Sequence, residues 1–282
     1  MLDFHTHPAN WGIKPVLFNI GNVPVTSYAF FVILGLIAGL LVYYYLAKKE
    51  KLHSENSFYV LVAGLCGGIL GAKIPIWILN FPLLLQTNNV ALFLSGRTII
   101  GGLIGGTIAV IIVKKVLKIN QKLGNLFAPA IALGVAIGRI GCFFAGCCYG
   151  TPTTLPWGVD FGDGLLRHPT QIYESIFMFG MFIFLIIKQN KNTKQKKSKE
   201  IKPGYLFYIL MNFYFVFRFF EEFIRDNPRY FYLTLFQYLS IAALLFINGK
   251  YLFENRKKGN LENMQVQTRS MEKNIKRKRK SK

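Results

Sequence analysis

The chain has 282 residues, of which 52% are hydrophobic, 15% aromatic and only 17% charged, and its mean hydropathy is +0.34. That balance excludes an ordinary soluble domain, because several apolar runs reach the roughly 20 residues that cross a bilayer. A net charge of +21 would suit a nucleic-acid binder, but its placement along the chain argues against that reading.

The first residues, MLDFHTHPANWGIKPVLFN, lack a basic stretch followed by an apolar one, so no cleavable signal peptide is expected. Segment 1–19 reads as an N-terminal segment on the periplasmic or extracellular side. Apolar runs then predict helical spans at about 25–47, 59–79, 98–117, 126–147, 171–187, 204–221 and 233–253. The expected class is all-α: a polytopic membrane protein of about seven transmembrane helices, with one membrane domain over 20–254 and a basic, disordered tail over 255–282. No internal repeat stands out.

Positive charge falls on alternate connections. Segment 48–58 carries Lys48, Lys49 and Lys51 against Glu50 and Glu55; segment 114–122 carries Lys114, Lys115, Lys118 and Lys122. Segment 188–202 has seven lysines against Glu200, and the tail has eleven basic residues against Glu262 and Glu272. The intervening connections carry little. The positive-inside rule therefore places the N-terminus outside and the C-terminus in the cytoplasm. The tail reads as a segment near anionic headgroups rather than an RNA-binding arm, and no nucleic-acid partner is expected.

The 80–97 connection, NFPLLLQTNNVALFLSGR, is apolar but broken by Pro82 and QTNN, which predicts an interfacial or re-entrant helix on the outer surface. The 148–170 connection is rich in Gly and Pro; irregular backbone at membrane depth requires partners for its amides. Glycines in GLCGGILGAK, GGLIGG and GVAIGRIG read as close helix packing. No strand precedes them, so they are not a nucleotide loop. Cys142, Cys147 and Cys148 lie within seven residues without a Cys-x-x-Cys pair. Helix packing is the favoured reading, with a disulfide, redox or other thiol site left open; no metal and no cofactor are expected.

The informative charges lie inside apolar runs. Arg218, Glu222 and Arg225 are spaced i, i+4, i+7, which places them on one helix face, and Tyr214 extends that face inward. Glu222 between two arginines leaves net positive charge, which suits an oxyanion, since guanidinium binds phosphate or carboxylate bidentately. A structural ion pair is the plain alternative. Arg139 sits mid-run between Gly138 and Gly141 with no acid in its own span, so its partner is Glu222, Glu174 or an anionic substrate. His168, beside Pro169 at the start of the fifth span, is the only histidine near these charges and the residue type suited to proton transfer.

The pattern HPTQIYES with upstream GRIGCF and the later Arg-Phe-x-x-Glu-Phe-x-Arg stripe resembles the prolipoprotein diacylglyceryl transferase family. GGLIG at 101–105, AP at 128–129 and Tyr28 support the resemblance, which covers about 20–250. It implies transfer of the diacylglyceryl group of phosphatidylglycerol to the lipobox cysteine thiol of a prolipoprotein, with release of glycerol phosphate. It also implies a bacterial plasma (inner) membrane location, an active site facing the outer leaflet, and signal peptide and membrane lipids as partners. By this resemblance His168, Tyr28, Arg139 and Glu222 are the catalytic candidates. Arg139, Arg218, Arg225, Tyr214, Gln171, Glu174 and Gly150 would hold the headgroup, and Tyr173 belongs to the same His-Pro-x-Gln-x-Tyr-Glu element. The chain departs from the family pattern at Cys142, Ala145 and Cys147, which replace polar signature residues, and at Ile100, which replaces a histidine. Lys73 and Asn125 replace an arginine and an aspartate. Alternatives are a family member with another phospholipid or acceptor, a non-catalytic phospholipid-binding protein, and a thiol or metal module built on the three cysteines.

Overall fold

The computed structural model describes residues 11–52, 55–79, 81, 98–120, 123–194, 202–253 and 256. Segment 1–10, most of the 80–97 connection, Lys122, residues 195–201 and the tail beyond Arg256 lie outside the described residues.

Seven helices appear among the described residues. They are α1 (Ser27–Lys49), α2 (Glu55–Leu79), α3 (Ile99–Val116), α4 (Gly124–Ala145), α5 (Thr170–Lys194), α6 (Tyr205–Glu221) and α7 (Leu235–Phe253). All but α6 are at least 18 residues long and apolar enough to cross a membrane. With 17 residues α6 rises about 26 Å, and the chain continues through a 3-10 turn at Glu222–Ile224. The protein is an all-α polytopic membrane protein. Its outward faces carry exposed Leu36, Leu41, Ile69, Ile78, Ile112, Phe179 and Phe246, as lipid-facing helices require.

The helices associate in two ways. On α1 and α4, and again on α2 and α3, glycine removes the side chain at the contact. A Cβ on Gly35 would stand 2.5 Å from Gly134 O, and one on Gly105 2.5 Å from Gly67 O. Any larger residue would push the helices apart. By contrast, α4, α5 and α6 bury large side chains between them, including Met178, Leu206, Leu210, Tyr214 and Phe215. Ser175 Oγ donates to Ala136 O at 2.8 Å, tying α5 to α4. Asn248 Nδ2 donates to Asn212 Oδ1 at 2.7 Å, tying α7 to α6. Thus α4 is the hub, packed on α1, α5 and α6.

Among the described residues three short hairpins accompany the bundle: β1 (Val16–Ile20) with β2 (Val23–Thr26), β3 (Val159–Asp160) with β4 (Leu166–Arg167), and β5 (Arg229–Tyr230) with β6 (Leu233–Thr234). The first crosses the expected boundary at 19/20 and leads directly into α1, where Thr26 caps the helix by accepting from Ala29 N at 3.3 Å. Its strands are short and apolar, and so merge with the first span in a hydropathy reading.

The 148–170 connection folds onto the end of α4. Its amides find partners as membrane depth demands: Gly150 N donates to His168 O at 2.8 Å, Thr151 N to Ile224 O at 2.8 Å, and Thr153 N to Leu166 O at 2.8 Å. Trp11 packs with Tyr149 and Phe161 beneath this lobe, and its indole N–H donates to Gly146 O at 2.8 Å. Arg167 stacks over Tyr149 and pairs with Asp163 at 2.7 Å. Partial burial pushes the Asp163 carboxyl up, and Arg167 outweighs it, holding the group below its ordinary value.

Candidate active site

The charged residues of the apolar runs meet at the end of the bundle where α4 and α6 finish and α5 begins. Arg139 projects from the last two turns of α4 and forms an ion pair with Glu174, in the second turn of α5. Across from it, Tyr214 on α6 donates its hydroxyl to Glu174 Oε1 at 2.9 Å. Arg218 Nη1 lies 3.6 Å and Arg225 Nη1 3.9 Å from Glu174 Oε2. One carboxylate therefore gathers guanidinium groups from α4, α6 and the segment after the 3-10 turn. Of its alternatives for the partner of Arg139, the sequence reading included this one.

Two further carboxylates complete the network. Glu222 Oε2 lies 3.0 Å from Arg218 Nη2, while its other oxygen accepts from Asn227 and, at 3.1 Å, from Thr234 Oγ1. Glu221 pairs with Arg218 and lies 3.7 Å from Arg225 Nη1. The three arginines are 3–5% exposed and the three glutamates 0–5%. The expected excess of positive charge on the stripe is thus corrected: Glu221, passed over because Glu222 completes the i, i+4 pattern, makes the cluster formally balanced. Balance is what a low-dielectric site tolerates, since unpaired buried charge costs several kcal/mol. Even so, Arg139 Nε and Arg218 Nε have no hydrogen-bond partner among the described residues, and a buried N–H left so is costly unless a ligand takes it.

A small cavity of about 30 Å³ opens among these groups. Arg139, Arg218, Arg225, Tyr214, Cys148 and Ile100 are on its wall, with Thr98, Asn227 and Phe236 also lining it. Thr98 is fixed there because its hydroxyl caps α3, accepting from Gly101 N at 3.2 Å, and donates to Ala72 O of α2 at 3.2 Å. Asn227, Phe236, Thr98 and Thr234 carry no charge, so a search for buried charge passes over them.

The other predicted residues fall into two groups. Gly150 pairs with Arg225 by backbone bridging, and a Cβ there would lie 2.5 Å from Ile224 O and 2.7 Å from the His168 Cβ. Only glycine lets the two strands close so near the arginines. Gln171 is fully buried and donates to Cys147 O at 2.7 Å, so it supports the cysteine segment. His168 and Tyr28 stand off the cavity wall. The His168 ring lies 3.3 Å from Tyr173 OH, which also accepts from Trp157 Nε1 at 2.8 Å. Tyr28 opens α1 half-buried, its backbone facing Gly141 of α4.

The fold and the site together define a polytopic helical membrane protein with a buried arginine–glutamate centre beside a cavity. Comparison with known proteins narrows the class. The chain matches the prolipoprotein diacylglyceryl transferase family over residues 15–252. It is 35% identical over 227 residues to a phosphatidylglycerol--prolipoprotein diacylglyceryl transferase of Clostridium tetani, covering 77% of this chain and 87% of that protein. It is 32% identical over 262 residues to phosphatidylglycerol--prolipoprotein diacylglyceryl transferase 2 of Clostridium perfringens, covering 89% and 98%. A Finegoldia magna relative of the same name is 35% identical over 237 residues. The chain belongs to the prolipoprotein diacylglyceryl transferase family.

Proposed function

We propose that this protein transfers the diacylglyceryl group of phosphatidylglycerol to the lipobox cysteine thiol of prolipoproteins. One observation carries the reading: guanidinium groups from separate helices line a single cavity and share one buried carboxylate. The acceptor thiolate attacks the glyceryl carbon that bears the phosphate ester; a C–S bond forms, the C–O bond breaks, and glycerol phosphate leaves with the electron pair. Arg139, Arg218 and Arg225 hold the phosphodiester and meet the charge that develops on the leaving oxygen, in a site from which water is largely excluded. Glu174, Glu221 and Glu222 position the arginines, and Tyr214 orients Glu174. His168, whose ring lies 3.3 Å from Tyr173 OH at the border of the site, takes the acceptor's thiol proton by way of water.

The positive-inside pattern orients this end of the bundle toward the outer leaflet of the bacterial plasma membrane, where the headgroup and a translocated signal peptide both arrive. The membrane domain is 20–254, with 255–282 as a cytoplasmic tail. A second reading, another phospholipid or acceptor, is favoured by Ile100 on the cavity wall at a position where the family pattern has histidine.

Expression in cells depleted of their own transferase, with a labelled lipobox reporter, tests the assignment. Lipidation of the reporter is expected. A correctly inserted protein that leaves the reporter unmodified, while another lipid is turned over, would move the assignment to the second reading.

A further inference from the structure

Three thiols meet beside the cavity although no metal-ligand spacing announces them. Cys142 lies in the last turn of α4. Gly146 then ends the helix in the left-handed conformation, φ +68°, and Cys148 follows at φ +67°, so the chain turns back over Cys142. The three sulfurs all lie within 4.8 Å of one another, and none is in a disulfide. A left-handed cysteine is strained and persists only where its surroundings hold it. Here Thr170 Oγ1 donates to Cys148 O at 2.6 Å and Gln171 Nε2 to Cys147 O at 2.7 Å. Helix packing accounts for neither the strain nor the convergence of the sulfurs.

We propose that Cys142, Cys147 and Cys148 form a three-thiolate site for Zn²⁺, with a fourth position that opens on the arginine-lined cavity and takes the acceptor thiol. A zinc ion about 2.3 Å from each sulfur places the sulfurs about 4 Å apart, so small side-chain rotations complete the site. Three thiolates on one divalent cation carry a net charge of −1, and the nearest cation is Arg139, whose Nη1 lies 4.0 Å from the Cys142 sulfur. Cys148 is the member that faces the cavity. Three protein ligands with one open position are the arrangement of a catalytic zinc, and a thiol on such a metal is deprotonated outright. The proposal rests on the transferase reading and deepens it. The acceptor thiol binds as the fourth thiolate and releases its proton through His168 to water. Its sulfur then forms the C–S bond as the glyceryl C–O bond breaks toward the arginine-held phosphate. The ion thereby supplies the thiolate in a chain whose cavity presents Ile100 where the family pattern has histidine.

The test uses the full chain in detergent, stripped with a chelator and given Zn²⁺ alone. One equivalent of zinc is expected. Alkylation of Cys142, Cys147 and Cys148 should slow at least about tenfold, while Cys66, exposed on α2, reacts at its original rate. Cys148→Ala and Cys147→Ala, each checked for monodispersity by gel filtration, should weaken zinc binding at least about tenfold, and Cys66→Ala should not. With Co²⁺ in place of zinc, adding a lipobox peptide should raise the sulfur-to-cobalt absorption by about one third as three thiolates become four. Equal reactivity of all four cysteines with and without zinc, or undiminished binding by both variants, overturns the site. An unchanged cobalt spectrum on adding the peptide overturns the acceptor position. A chain that lipidates the reporter with its thiols unprotected loses the zinc site alone; one that binds zinc but leaves the reporter unmodified loses the transferase reading and the acceptor role with it.

Discussion

Both ends of the bundle carry positive charge, but it is arranged oppositely. At one end Lys49 reaches Asn190 at 2.7 Å, and Lys115 and Lys118 stand exposed where α3 stops. At the other, Arg139, Arg218 and Arg225 are buried, share carboxylates and face a common cavity. The lysines account for much of the net charge and the arginine centre, formally balanced, for none of it. Amount of charge therefore reports on topology, through the lipid and the membrane potential. Location of charge reports on chemistry, because a charge held out of water is retained only where a partner or substrate compensates it.

The largest expected effect comes from breaking the buried end. Arg139→Ala removes the α4 guanidinium from the phosphate and leaves Glu174 short of a partner; transfer to the lipobox reporter should fall at least about 100-fold. Lys115→Ala at the exposed end should leave transfer unchanged. Equal loss in the two variants, at matched membrane protein levels, would erase the contrast. Next, Arg218→Lys and Arg225→Lys keep the charge but lose the planar fork. A fall of about tenfold or more in reporter lipidation is expected for each, because an ammonium cannot meet two carboxylates and a phosphate with the same geometry. Tyr214→Phe deletes the hydrogen bond to Glu174, a charge-assisted bond worth about 1.5–3 kcal/mol, and a loss of about tenfold in transfer rate is expected.

The spans were readable from the sequence because bilayer thickness sets their length, and the six longest helices fall on the expected runs. Arg139, Glu174, Tyr214, Arg218, Glu222 and Arg225 were readable for a related reason: an ionisable residue in an apolar run must turn inward. Glu221 was hidden by helical spacing, since Glu222 satisfied the i, i+4 pattern and both carboxylates in fact reach Arg218. The meeting of the three sulfurs was hidden for a different reason. It depends on left-handed backbone at Gly146 and Cys148, which no spacing rule encodes. His168 and Tyr28, singled out by motif, stand off the cavity wall, a distinction only tertiary packing makes.

The smallest effect expected lies on the partly exposed lobe above the site. Asp163→Asn removes the pairing with Arg167 and should change transfer by less than about twofold, as surface ion pairs contribute little. The Asp163 carboxyl is held low in the folded protein, so what it contributes is present above its unfolded pKa and is lost as pH falls through the folded one. Loosening of the lobe on acidification, read as faster proteolysis within 148–170, should therefore be weaker in Asp163→Asn than in the parent.

Lipid retention in native mass spectrometry tests the central claim most directly. The protein released from mixed nanodiscs should keep one phosphatidylglycerol in preference to an uncharged diacylglycerol, and Arg139→Ala should lose that preference by about tenfold or more. Equal retention of the two lipids by the parent, or an undiminished preference in the variant, would contradict the assignment of these arginines to the headgroup.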